Sequence, residues 1–76
     1  MKQLVEDIAK ALVDQHEAVS VTEVPGEHAT TLALKVAPGD LGKVIGKQGR
    51  TARSIRTLLM AAGSKTNRRF TLDIVE

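Results

Sequence analysis

Leu41-Gly42-Lys43-Val44-Ile45-Gly46-Lys47-Gln48-Gly49-Arg50 is the stretch on which the fold turns. An apolar pair, Val44-Ile45, precedes two glycines that bracket the polar tip Lys47-Gln48, and a basic residue opens the segment that follows. Glycines permit unusual dihedrals and close approach of the backbone to a ligand. A helix starting directly after them offers unpaired N–H groups and a partial positive charge to an anion. Lys43, Lys47 and Arg50 add attraction for successive phosphates. The bare spacing Gly-x-x-Gly is weak on its own, since Gly39-Asp40-Leu41-Gly42 matches it too. That copy holds an acid and a leucine and would repel phosphate.

Downstream, at about 100° per residue, Ala52, Ile55, Leu58, Leu59 and Ala62 share one face of a helix. Arg50, Arg53 and Arg56 fall on the opposite side, where Arg50 and Arg53 extend the cationic track of the loop. Met60 lies near the arginines, as a contact residue or a filler of the core. Gly63 is placed to end this helix. Residues 69–75 then alternate, with Phe70, Leu72 and Ile74 inward, and read as a strand. Upstream, Asp40 stands as N-cap of a short helix through Leu41, Val44 and Ile45. Residues 29–37 alternate with Leu32, Leu34 and Val36 on one face, and residues 18–24 are rich in β-branched side chains; Pro25-Gly26 between them marks a turn. Residues 2–14 form an amphipathic helix through Leu4, Val5, Ile8, Ala9 and Leu12. The order is α-β-β-α-α-β, an α+β two-layer sandwich in which helices cover one face of a three-stranded sheet.

Charge separates along the chain. Residues 1–40 hold three lysines against seven carboxylates, whereas residues 41–69 hold eight lysines or arginines and no carboxylate, within a total net charge of +2. Such asymmetry suits a polyanionic partner. Phe70 is the single aromatic residue, which argues against modules that stack bases on exposed rings and leaves backbone, cations and aliphatic surface to bind a nucleic acid. There is no cysteine, so disulfides and thiolate chemistry are excluded and a reducing cytoplasm is the expected location. The longest apolar run, Leu58 to Ala62, is far too short to cross a bilayer, and the N-terminus lacks the pattern of a signal peptide. No membrane association is expected. His16 and His28 stand apart, Ser54 and Ser64 lack the context of a nucleophile, and no Walker A or G-x-G-x-x-G pattern occurs. No catalytic residue, metal or cofactor is expected, and the chain reads as a non-enzyme.

The unit from Leu41 to Arg50, with the run Arg50-Thr51-Ala52 and Ser54 to Leu59 behind it, resembles a KH domain. The element order resembles the bacterial, type II form, and residues 1–76 are expected to be one such domain. The chain is similar throughout to the small bacterial single-KH proteins of the KhpA (YlqC) family. The resemblance implies that four nucleotides of single-stranded RNA, or of single-stranded DNA, lie in a narrow groove. Gly46, Lys47, Gln48 and Gly49 would clamp the backbone, Lys43, Arg50 and Arg53 would flank it, and one of Val44 and Ile45 would line the floor while the other enters the core. Residues 31–36 would form the far wall. It also implies the role of an RNA chaperone or post-transcriptional regulator linked to cell elongation and division. Self-association, and pairing with a larger KH-containing protein of the KhpB (Jag, EloR) type, are implied as well. The alternative is a protein-interaction adaptor that uses the loop and the Met60 side of its helix to bind another chain.

Overall fold

The computed structural model describes residues 1–75. Helix α1 (Lys2–Leu12) is followed by strand β1 (Ser20–Pro25), strand β2 (Thr30–Lys35), helix α2 (Leu41–Ile45), helix α3 (Arg50–Lys65) and strand β3 (Phe70–Val75). Short 3₁₀ turns at His16–Ala18, Pro38–Asp40 and Lys47–Gly49 join them. The α-β-β-α-α-β order and the α+β sandwich are those anticipated from the alternation of apolar side chains.

The sheet runs β1-β2-β3 in space. β1 and β2 are an antiparallel hairpin with Val21 opposite Leu34, and β2 and β3 are parallel with Leu32 beside Leu72. Parallel neighbours need a crossover, which here contains α2 and α3. β2 is central, and its inward residues Leu32 and Leu34 are wholly buried. They meet Val5, Ala9 and Val13 at the α1 end and Ile55 and Leu59 from α3. On the opposite face Thr31 and Thr71, register partners, share a hydroxyl hydrogen bond of 3.0 Å.

α3 departs from expectation in two ways. It continues past Gly63 to Lys65, and the left-handed residue after its end is Asn67, at φ 55°. Gly63 is instead buried, within a helix turned so that Ala52, Ile55, Leu59 and Gly63 face the core. This rotation carries Leu58 out of the apolar stripe, leaving it 51% exposed. Met60 is also a surface residue, at 63%. At the other end of the chain Leu4 and Leu12 sit at the margin of the α1 stripe and are exposed, because Val5 and Ala9 form its centre.

Candidate nucleic-acid interface

α2 is only five residues long, yet it is held firmly. Val44 is wholly buried in the core, and Gly46 N–H donates to the Gly42 carbonyl at 2.8 Å to close the helix. Gly46 then takes φ 78°, ψ 169°, a backbone region nearly exclusive to glycine. Gln48 and Gly49 follow at φ 58° and 73°. The chain thereby reverses within four residues and delivers Arg50 as the first residue of α3. The Thr51 side chain fills the space behind Gly46. Nothing in the Gly-x-x-Gly spacing points to Thr51.

α3 begins with no side-chain cap and no acid in its first turn. The Arg50 N–H donates back to the Lys47 carbonyl, and the first turn of the helix, with the positive end of its dipole, holds no acid of its own. Lys47, Gln48 and Arg50 are exposed around this end, and Arg50 donates to the Gln48 carboxamide oxygen at 3.2 Å. Arg53 is exposed one turn along. Among the described residues Lys47, Arg50 and Arg53 make no ion pair. Ile45 is half-buried beside the loop, while Val44 points into the core. The structure thus brings Ile45, Gly46, Lys47, Gln48, Gly49, Arg50 and Arg53 to one end of α3 and takes the Val44 side chain away from that surface.

Lys43 differs from the other cations. Its ammonium donates to the carboxylates of Asp14 and, at 3.1 Å, Asp40. Asp40 is 3% exposed and does not cap α2 through its side chain, although it occupies the N-cap position. Its second oxygen accepts the Gln15 N–H at 3.0 Å, fastening the connection after α1 to the base of α2. These partners lie 25 and 29 residues away, beyond the reach of any local pattern.

The Gln15 N–H, and Lys43 beside it, hold the Asp40 carboxyl below its ordinary 3.8 against the opposing effect of burial. Hydrogen bonds to Asp14 and then Asp40 hold the Lys43 ammonium above its ordinary 10.5. A lowered acid contributes stability that is complete above 3.8 and lost as pH falls through its folded value; a raised base contributes stability that is complete below 10.5 and lost as pH rises through its own. The contribution of the cluster is expected to be flat across neutral pH. In urea titrations read by circular dichroism, Asp40→Asn should lower the midpoint on that plateau and lessen the fall in stability below pH 3.8. An acid limb of unchanged depth would show that Asp40 is not the group responsible.

Among the described residues no three His, Asp or Glu side chains converge as a metal site, and no helix is long and apolar enough to cross a membrane.

Comparison with known proteins agrees with this geometry. Residues 2–74 match the model of the KhpA/KhpB KH domain. A protein of Clostridium acetobutylicum named RNA-binding protein KhpA is 57% identical over 75 residues, covering 99% of this chain and 100% of its own. The proteins of that name from Aquifex aeolicus and Treponema pallidum are 51% and 48% identical, and the match covers 100% and 99% of this chain and 96% and 94% of theirs. With the reversed glycine loop between α2 and α3 and the three-stranded mixed sheet in place, the chain belongs to the KhpA/KhpB family of KH domains.

Proposed function

We propose that this protein is a non-catalytic, single-stranded RNA-binding module of the cytoplasm that grips the sugar-phosphate backbone with Gly46-Lys47-Gln48-Gly49. The observation that carries this reading is the start of α3: a 16-residue helix whose first turn has no acid and no cap, reached through left-handed backbone and ringed by Lys47, Arg50 and Arg53. Phosphate supplies what that helix end lacks. The names borne by its relatives support RNA as the polyanion. Of the two apolar residues before the loop, Ile45 is the one that offers floor to a base, and Lys43 steadies α2 from beneath. A chaperone or post-transcriptional role follows from gripping backbone more than reading bases.

Lys47→Asp/Gln48→Asp tests the clamp. Two carboxylates at the tip repel phosphates and leave both glycines and the core in place. Binding to a pooled single-stranded RNA library is expected to weaken roughly 100-fold, the scale of two charge-assisted contacts. Wild-type affinity should fall as salt rises. Unchanged binding by the variant, with the fold intact by circular dichroism, would remove the loop from the interface.

Exposed Leu58 favours a second, compatible arrangement. It lies on the flank of α3 away from Met60, where a second copy or another KH chain can cover it without closing the loop. Pairing of that kind would raise avidity for RNA. Sedimentation of wild type and the loop variant should then give equal masses, since the pairing surface is not the clamp.

A further inference from the structure

Beyond Lys43, which is ion-paired, the cations of residues 41–69 include a group at each end of α3. Lys47 and Arg50 stand at its start, while Lys65 closes it and Arg68 and Arg69 follow. A 16-residue helix is about 24 Å long, so one four-nucleotide clamp cannot reach both. The far end is not smooth. An open groove of about 540 Å³ is lined by Met60, Ser64, Arg68, Arg69, Phe70 and Thr71. Two shallower hollows beside it share Arg68 and Arg69 and add His28 and Asn67, with Glu27 the one carboxylate among them. Among the described residues neither Arg68 nor Arg69 is ion-paired.

The groove has the composition of a site for a nucleotide. Met60 and the uncovered part of Phe70, whose ring is half-buried against the core, give it an apolar wall, and two guanidinium groups edge it. Any base can lie against such a wall or stack on a guanidinium plane while the cations hold the phosphate. The two ends are also connected. Arg53, Arg56, Met60 and Ser64 lie within about 80° of arc on the same flank of α3. A strand leaving the clamp along this flank meets Arg53, then Arg56, then the groove, and no carboxylate of residues 41–69 interrupts it.

We infer that Arg68, Arg69 and Phe70 form a second contact site for single-stranded RNA, occupied by nucleotides beyond those held in the clamp. This site rests on the clamp as the primary one. At the stacked spacing of about 3.4 Å per nucleotide, 24 Å corresponds to roughly seven nucleotides past the clamp. RNA of five nucleotides fills the clamp alone, and RNA of 20 reaches both ends. The domain therefore prefers long unpaired segments to short loops, with little regard to sequence in the distal part.

The test is fluorescence anisotropy with unstructured RNAs of five and 20 nucleotides, on wild type, Arg68→Glu/Arg69→Glu and the milder Arg68→Gln/Arg69→Gln. Both arginine side chains are on the surface, and circular dichroism checks the fold. The 20-mer should bind wild type at least tenfold more tightly than the 5-mer. The Glu pair should abolish that advantage and leave the 5-mer within about twofold; the Gln pair should remove part of it. The slope of log affinity against log salt for the 20-mer should shrink by about 1.4, which is two phosphates at about 0.7 each. Equal loss on both RNAs would mean a general field effect and overturn the site. An unchanged 20-mer would overturn it as well, and polyglutamate binding lost in the same variant would then assign the groove to an acidic protein surface. Wild type binding neither RNA would bring down the clamp reading, and this one with it.

Discussion

Gly63→Val is expected to remove a large share of the domain's stability. A Cβ at this position would stand 2.3 Å from the Arg68 carbonyl oxygen and 3.1 Å from the Phe70 ring. The first of these is backbone and cannot swing aside. It is also pinned, because Arg68 N–H donates to the Gly63 carbonyl at 2.9 Å and Thr66 N–H to the same oxygen at 3.1 Å. Relief requires α3 to lift from the start of β3, which opens the core around Leu59 and Leu72. A loss of about 3 kcal/mol or more is in the range for overpacking against fixed backbone. A domain of 76 residues has only about 4–11 kcal/mol to lose. The melting temperature should drop by about 12–24 °C, at about 4–8 °C per kcal/mol. Gly63→Ala should also lower it, even though alanine is the better helix former by about 1 kcal/mol. An alanine variant that melts at or above wild type would refute the close approach.

The second large effect separates the two loop glycines. Gly46→Ala meets Thr51 Oγ1 at 2.2 Å and Thr51 N at 2.8 Å, in a backbone region that costs about 1–3 kcal/mol for any other residue. The loop has to change shape, so stability and RNA affinity should fall together, the latter by about tenfold or more. Trimming Thr51 to glycine will not restore either, since the backbone nitrogen and the φ of 78° remain. Gly49→Asn is a different case. Its φ of 73° and ψ of 14° lie in the left-handed region that asparagine tolerates, and a Cβ there meets nothing within 4 Å. The melting temperature should stay within about 3 °C of wild type, on the scale of a few tenths of a kcal/mol. RNA affinity should nevertheless drop about tenfold, because the new side chain projects into the open space where a backbone must come close. Thermal melts and anisotropy on the two variants decide this. Equal stability losses would mean that both glycines serve the loop alone.

The parts of the fold governed by local periodicity were legible before any coordinates. Leu32, Leu34 and Val36 repeat every second residue, Val5 and Ala9 every fourth, and both patterns name the inward face directly. The elements bounding the loop were legible for the same reason. Gly63 was misjudged because glycine serves two unrelated needs, a left-handed dihedral and a lack of volume, and a sequence shows only that a glycine is present. A left-handed dihedral would end α3 at Gly63; the lack of volume instead carries the helix to Lys65 with Gly63 in its buried stripe, and Leu58, at the edge of the apolar arc, is then turned outward. Asp40 was legible as an N-cap position and illegible as a tie to Gln15 and Lys43, since a contact across 25 residues is made by the finished fold and leaves no local mark. For the candidate site, the loop and its cations could be named from spacing and charge. That the Val44 side chain is spent on the core, that Lys43 is already engaged, and that Thr51 backs Gly46 all depend on how α2 meets the rest of the domain.

Val44 is wholly buried just before the loop and Ala52 is 4% exposed just after it, so seven residues are moored at both ends. A loop built this way is preorganised. An arriving strand does not have to order it, and little conformational entropy is subtracted from the contact free energy. A clamp of the proposed size, four nucleotides, would have a small contact area, and a slack loop would consume much of what that area gives. With two such moorings, the short grip proposed above would hold without first having to order the loop.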